Sequence, residues 1–113
     1  MKTIIAGSRS ITDIIIVYQA IEASGFDITT VVSGCARGVD LLGEKWANNE
    51  DIPVIRMPAD WSRYGKGAGK FRNIEMALIA DALVAVWDGV SRGTGHMIDT
   101  ARAKGLKIYV HLV

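Results

Sequence analysis

Short apolar segments alternate with amphipathic segments along the chain, and this alternation constrains the fold more than any other feature. The runs KTIIAG, ITTVVS, IPVIRM, DALVAVWDG and LKIYVHLV have the length and β-branched content of buried strands. Between them lie stretches with apolar residues at helical spacing. Strands that alternate with helices form a parallel sheet covered on both sides. The sequence therefore predicts an α/β fold with three layers, α/β/α, around a mainly parallel five-stranded sheet.

The ends of the predicted helices carry their own signals. Thr12 or Asp13 is placed to cap the first helix, and Gly25 to end it. Gly105 stands where a glycine ends the last helix.

The apolar residues of two helices predict which faces are buried. In the first helix, the residues at helical spacing are Ile14, Ile15, Tyr18 and Ile21. In the third helix, FRNIEMALIA, the residues expected to face inward are Phe71, Ile74 and Leu78.

Size and composition narrow the class of protein. The chain has 113 residues, so we expect one domain, residues 1–113, with a core of its own. Half of the residues are apolar, 22% are charged and the formal net charge is +1, which argues against a surface devoted to nucleic acid. Cys35 is the single cysteine, which excludes an internal disulfide and a multi-cysteine zinc site. We predict neither a bound metal nor a separate cofactor.

No segment has the length of a signal-peptide core or of a membrane-spanning helix. The sequence therefore predicts a soluble protein with no membrane partner, and we expect a cytoplasmic location.

Small and polar residues follow three of the predicted strands. In an open parallel sheet, ligands bind beyond the carboxyl ends of the strands, where these turns meet. Glycine permits close backbone approach, the helix that follows each turn offers free N–H groups, and serine, threonine and arginine side chains add donors to phosphate. Each turn alone is also an ordinary strand-to-helix connection. The candidate ligand-binding residues in these turns are Gly7, Ser8, Arg9, Ser33, Gly34, Gly38, Asp88, Gly89, Ser91, Gly93 and Thr94.

Three further residues join this candidate site. Asp40 either caps the second helix or binds a ribose hydroxyl. Arg72, followed by Asn73, begins the third helix, where its guanidinium either reaches a phosphate or pairs with Glu75 or Glu44.

The connection from Pro58 to Lys70 is long and polar for a small domain, and two interpretations stay open. It is either a binding loop, in which Trp61 and Tyr64 stack on a base with lysines near phosphate, or a surface flap whose aromatic side chains pack on the core.

A histidine–aspartate spacing and the single cysteine are the other candidates for chemistry. His96 and Asp99 lie one helical turn apart, a spacing that suits catalysis, although solvent-exposed positions are the favoured interpretation. Cys35 stands at a helix N-terminus, where the pKa of a thiol is lowered, but we interpret it as a small residue that fills a turn.

Four segments in this order resemble the SLOG superfamily, and within it the small YspA/YpsA-related branch. They are GSR, SGCARGVD, KFRNIEMA and WDGVSRGTGHMIDTARAKG, and the likeness covers nearly the whole chain. The resemblance implies a Rossmann-like domain that binds a nucleotide or nucleotide-derived ligand and forms a homo-oligomer.

The resemblance extends to the LOG phosphoribohydrolases, but incompletely. Arg72 in RNIEM matches the arginine of their RKxxM-like segment, and Gly93-Thr94 matches the GT of their PGGxGTxxE segment. Met97 stands where their acidic residue belongs. Cleavage of an N-glycosidic bond requires a group that stabilises positive charge and handles a proton, and methionine does neither. No catalytic residue is therefore assigned.

The predicted function is the binding or sensing of a nucleotide or nucleotide-derived ligand. Arg9 and Arg72 would contact phosphate, and Asp40 or Asp88 would reach ribose. One alternative is a nucleotide-processing enzyme of the phosphoribohydrolase type. A further alternative is a single-stranded DNA binder like DprA, for which Arg63, Lys66 and Lys70 would form a local track, although we do not expect a nucleic-acid partner at this net charge.

Overall fold

Five parallel strands form one sheet in the order β3-β2-β1-β4-β5. The computed structural model describes all 113 residues, Met1 to Val113. The strands are β1 (Lys2–Gly7), β2 (Thr30–Ser33), β3 (Val54–Arg56), β4 (Ala82–Trp87) and β5 (Lys107–Leu112). The predicted Rossmann-like α/β fold with five strands is confirmed, and every strand pair is parallel.

Helices connect the strands and cover both faces of the sheet. They are α1 (Ile14–Ser24), α2 (Val39–Asn49), α3 (Trp61–Tyr64), α4 (Ala68–Ile79) and α5 (Arg92–Ala103). A 3₁₀ turn, Gly65–Gly67, joins α3 to α4, so the long polar connection is largely helical. None of the helices combines the length and the apolar composition needed to cross a bilayer.

The core lies in two layers because successive residues of each strand point to opposite faces. Ile5 faces the layer under α1 and α2, whereas Ile4 faces the layer under α4 and α5. β4 is buried along its first five residues. Its uninterrupted apolar sequence is therefore explained by burial on both faces.

The predicted caps of α1 are confirmed. The Asp13 carboxylate accepts a hydrogen bond from the Ile15 amide at 2.9 Å, which satisfies one of the free donors at the start of the helix. Gly25 ends the helix with a φ of 67°, a left-handed conformation that costs glycine little.

The predicted inward face of α4 is wrong. Its buried residues include Asn73, Met76 and Ala77. The three residues expected to face inward are 43%, 40% and 65% exposed, in the order Phe71, Ile74 and Leu78. Both sets repeat at helical spacing, and the face that meets the sheet contains the smaller side chains and the polar Asn73.

The order of the strands reverses between β1 and β4. From β1 the chain proceeds to β2 and β3 on one side, and β4 and β5 lie on the other. The Ser8 amide donates to the Val86 carbonyl at 3.1 Å, and the Asp88 amide donates to Ser8 Oγ at 3.1 Å. A Cβ on Gly7 would lie 2.1 Å from the Val86 carbonyl oxygen, so the two strand ends approach closely only with glycine there. This is the crevice in which open α/β sheets bind ligands.

Candidate functional site

A cavity of about 790 Å³ lies beyond the carboxyl ends of the strands. Its wall comes from the turns after β1, β2 and β4, from the segment that includes α3, and from the first turns of α4 and α5. The volume falls in the range of about 300–1,000 Å³ that is usual for small-molecule sites. The three polar turns of the sequence thus meet around one cavity.

Positive charge is concentrated at this cavity. Six of the 13 lysines and arginines line it, with one of the 12 carboxylate side chains, Asp40. The six are Arg9, Arg37, Lys66, Lys70, Arg72 and Arg92. None of them forms an ion pair, since the two ion pairs of the protein are Arg56–Glu44 and Arg102–Asp99. None of these six charges has a carboxylate partner within ion-pair distance, which favours an anionic ligand in the cavity.

Arg72 is the most firmly held of these cations. Its Nη1 donates to the Gly34 carbonyl, and its Nε donates to Asn73 Oδ1 at 3.1 Å. A Cβ on Gly34 would lie 2.6 Å from Nη1, so the turn after β2 accepts this guanidinium only with glycine there. Burial lowers the pKa of Arg72, and the Asp40 carboxylate opposes that shift. The alternative pairing with Glu75 or Glu44 does not occur.

Asp40 places a buried carboxyl group at the cavity. It is 5% exposed, and its Oδ2 accepts a hydrogen bond from the Ala36 amide at 3.2 Å. Burial raises the pKa of Asp40 to about 6, although the Ala36 hydrogen bond and the charges of Arg72 and Arg9 oppose this shift. The carboxyl group therefore orders the turn before α2 and also borders the cavity.

Asn73 joins Arg72 to a histidine on the neighbouring helix. Asn73 is 6% exposed, and its Nδ2 lies 3.3 Å from the Gly93 carbonyl and 3.1 Å from Nδ1 of His96. Because Asn73 Oδ1 accepts from Arg72, its amide nitrogen must face His96 as a donor, and His96 Nδ1 accepts. The imidazole is then neutral with its proton on Nε2. Burial and, secondarily, Lys70 lower the pKa of His96.

Nine of the fourteen predicted site residues line the cavity. They are Gly7, Ser8, Arg9, Asp40, Arg72, Asn73, Ser91, Gly93 and Thr94. Of the other five, Ser33 is the last residue of β2, and the rest lie in the turns that follow β2 and β4, namely Gly34, Gly38, Asp88 and Gly89.

Two of these five have side chains that bond within the protein. Ser33 Oγ donates to Glu44 Oε2 at 2.5 Å. The Asp88 carboxylate accepts from the amides of Ser91 at 2.7 Å and Val90 at 2.9 Å, and from Ser91 Oγ. The Ser91 and Val90 amide hydrogen bonds lower the pKa of Asp88 to about 2. Asp88 therefore orders the turn that leads into α5.

His96 and Asp99 do not act as a pair. Asp99 pairs with Arg102, with Asp99 Oδ1 3.7 Å from Arg102 Nη1, whereas His96 faces the cavity and Asn73. The sequence did contain a signal for the position of His96 at the cavity. His96 lies three residues after Gly93, one turn into the helix that follows the turn after β4.

Of the two aromatic residues predicted to bind a base, only Trp61 lies in the wall of the cavity. Trp61 lines the cavity and is 52% exposed. Tyr64 stacks on Phe71 instead, with ring centroids 4.4 Å apart, and is not part of the wall.

The expectation for the Cys35 pKa is wrong. The residue lies in the turn four positions before α2 begins, and burial there raises the pKa of the thiol, although the charge of Arg56 and hydrogen bonds with Ser33 and Met57 oppose this shift. Its backbone adopts a φ of 65°, and Sγ lies 3.6 Å from the Ser33 carbonyl. Cys35 is a turn residue, as the sequence indicated.

Comparison with known proteins gives a family match and a relative. The model of the YspA, cpYpsA-related SLOG family matches residues 1–64. The chain is 33% identical over 117 residues to the Gene 61 protein of Mycobacterium phage D29, and the alignment covers 95% of this chain and 93% of that protein. No solved structure matches.

Proposed function

The chain belongs to the YspA, cpYpsA-related SLOG family, and we propose that it binds a phosphate-bearing nucleotide or nucleotide-derived ligand in the cavity at the carboxyl edge of the sheet. The observation that carries the proposal is the set of six lysines and arginines, none paired with a carboxylate, that face this one cavity. The negative charge of a phosphate ester offsets these positive charges, whereas an uncharged ligand offsets none of them.

The first turn of α5 offers additional donors to a phosphate. The helix begins at Arg92, and the amides at the start of an α-helix have no partner within the helix. Gly93 has open space where a Cβ would be, so a ligand oxygen can approach the backbone there. Helix N-termini favour anions for both reasons.

The wall of the cavity also contains suitable groups for the ribose and the base of a nucleotide. Asp40 is the carboxylate of the wall, and a carboxylate accepts hydrogen bonds from ribose hydroxyls. Trp61 presents an exposed indole at the rim, and a base stacks on such a surface.

The distribution of charge favours a small ligand over a nucleic-acid strand. Of the three residues considered for a strand-binding track, Lys66 and Lys70 face the cavity, and the Arg63 guanidinium lies 5.2 Å from the centroid of the Tyr64 ring. The cations converge on a cavity and do not follow a groove.

Titration calorimetry tests the proposal with adenosine, guanosine, cytidine and uridine and with the monophosphate and diphosphate of each. We expect at least one base series in which the phosphorylated members bind and the nucleoside does not. Equal binding of a nucleoside and its phosphates, or no binding in any series, would overturn the proposal.

A second candidate function rests on Asp40. A buried carboxyl group with a pKa of about 6 that borders a phosphate-binding cavity suits the hydrolysis of an N-glycosidic bond. In that reaction the bond between ribose C1′ and the base nitrogen breaks, water supplies a hydroxyl to C1′, and the base leaves with a proton. Release of free base from a nucleotide, lost in Asp40→Asn, supports this function. No release from any nucleotide that binds removes it.

A further inference from the structure

A second cavity of about 480 Å³ adjoins the first. The two share part of their walls, namely Arg9, Ala36, Arg37, Trp61 and Arg72. The rest of the second cavity is lined by Gly34, Cys35, Pro58 and Ala59, from the turn after β2 and the segment after β3. The site therefore has two adjoining compartments with a common wall.

The cations divide between this common wall and the rest of the larger cavity. Arg9, Arg37 and Arg72 stand where the two cavities meet, and no carboxylate lines the smaller cavity. Lys66, Lys70 and Arg92 line the larger cavity alone. Three guanidinium groups in one wall repel each other, and a diphosphate, with a negative charge on each phosphate, offsets this repulsion better than one phosphodiester charge.

The smaller cavity has few polar side chains apart from these arginines. Pro58 and Ala59 are apolar, Cys35 is a weak hydrogen-bonding group, and the Gly34 carbonyl already accepts from Arg72. Such a compartment suits a compact group attached to the diphosphate rather than a further phosphate.

We propose that the ligand is a diphosphate-bridged nucleotide, a nucleoside diphosphate esterified to a second group, whose two ends occupy the two cavities. The diphosphate lies against Arg9, Arg37 and Arg72, the nucleoside occupies the larger cavity, and the second group occupies the smaller one. This inference rests on the proposed function and adds the class of ligand to it.

Matched ligand pairs test the inference by calorimetry, with the base constant in each pair: ADP and ADP-ribose, UDP and UDP-glucose, GDP and GDP-mannose. We expect the esterified member of at least one pair to bind about tenfold more tightly. The comparison is conservative because the free diphosphate carries the larger negative charge. Equal or weaker binding of the esterified member in every pair, with nucleotides still bound, overturns the inference and leaves the proposed function standing. No binding by any nucleotide overturns both.

A variant that fills the smaller cavity gives an independent test. Ala59 is half-buried, and Ala59→Trp extends an indole into that compartment. We expect the ratio of the two affinities to fall to about one, with binding of the free diphosphate unchanged. Ala59→Leu fills less space and should lower the ratio by less, and it serves if the tryptophan variant does not fold. An undiminished ratio in the folded variants contradicts the inference.

The matched control is Ala103→Trp. Ala103 is an exposed alanine at the end of α5, about 15 Å along the helix axis from Gly93 at 1.5 Å per residue. This variant should keep the affinity ratio of the wild-type protein, and loss of the ratio in it would contradict the assignment of the second group to the smaller cavity.

Discussion

Asn73 donates its side-chain amide to Nδ1 of His96 over 3.1 Å, and this contact joins α4 to α5 at the wall of the cavity. The orientation of the amide is set by Arg72, whose Nε donates to the other end of the same side chain. His96 is thereby held as the neutral tautomer with its proton on Nε2, and a protonated ring would place an N–H against the amide of Asn73.

This relationship predicts the effect of Asn73→Asp. A carboxylate accepts from Nδ1–H and favours the charged imidazole, so the pKa of His96 should rise above its wild-type value. Proton NMR titration of the two histidines measures the shift, and His111 on β5 is the internal control that should not move. The same pKa for His96 in both proteins would contradict the assigned hydrogen bond.

The raised pKa of Asp40 predicts a dependence of stability on pH. Since burial disfavours the charged form, the folded protein is most stable below the ordinary pKa of 3.8 and loses this stability as the pH rises through about 6. Relative to Asp40→Asn, the free energy of unfolding of the wild-type protein should fall by about 3 kcal/mol at most between pH 4 and pH 7. Urea unfolding across this range measures the difference.

The control for this titration is Asp51→Asn, whose side chain is exposed after the end of α2 and forms no ion pair. Its stability profile should run parallel to that of the wild-type protein. A parallel profile for Asp40→Asn would show that the ionised carboxylate is not destabilised in the folded state.

The unpaired cations predict variants that lose binding without loss of stability. Arg92 and Arg102 are exposed and lie at opposite ends of α5, but Arg92 alone lines the cavity. Arg92→Gln should weaken the binding of a nucleoside diphosphate by about tenfold or more, because one charge-assisted hydrogen bond is lost. The free energy of unfolding should stay within about 0.5 kcal/mol.

Arg102→Gln is the matched control and should bind as the wild-type protein does. Calorimetry and urea unfolding on both variants provide the comparison. Equal affinities for the two variants would mean that the N-terminal end of α5 takes no part in binding.

Two glycines with similar φ values differ in what a Cβ at each position would meet. Gly38 and Gly89 have φ values of 80° and 83°, but only at Gly38 would a Cβ meet main-chain atoms, with the Ser8 carbonyl oxygen 2.6 Å away. Gly89→Ala should cost about 1–2 kcal/mol from its left-handed backbone. Gly38→Ala should cost at least about 1 kcal/mol more, because the turns after β1 and β2 must separate and because the ψ of −131° at Gly38 also favours glycine. Thermal unfolding that ranks the two variants equally would contradict this close packing.

The fold was accessible from the sequence because its signals are local. The spacing of apolar residues, the capping carboxylate of Asp13 and the glycine at Gly25 each act within one element. The inward face of α4 was not accessible in this way, because Phe71 and Met76 both belong to apolar rows at helical spacing and only the position of the sheet distinguishes them. The homo-oligomer expected from the family stays a prediction.

The candidate site likewise contains residues that local sequence patterns predict and residues that depend on tertiary contacts. Turn residues such as Gly7 and Thr94 follow strands, and parallel strands bring such turns to one edge. The pairing of Asn73 with His96 depends on the contact between α4 and α5, across 23 residues of chain, and no local pattern encodes it. Arg37 belongs to this second kind, since it lies in the predicted turn after β2 but only the tertiary structure places it at the cavity.

The central claim is that three turns converge on one phosphate-bearing ligand, and amide chemical-shift mapping tests it most directly. In a titration with ADP, and in a second with UDP, followed by ¹⁵N–¹H correlation spectra, the amides of residues 8–10, 34–37 and 92–94 should shift along one saturation curve in at least one titration. Amides at the opposite edge, such as those of Thr29 and Asp81, should not move. Titrations in which these three turns stay unperturbed, or saturate at different concentrations, would contradict the claim.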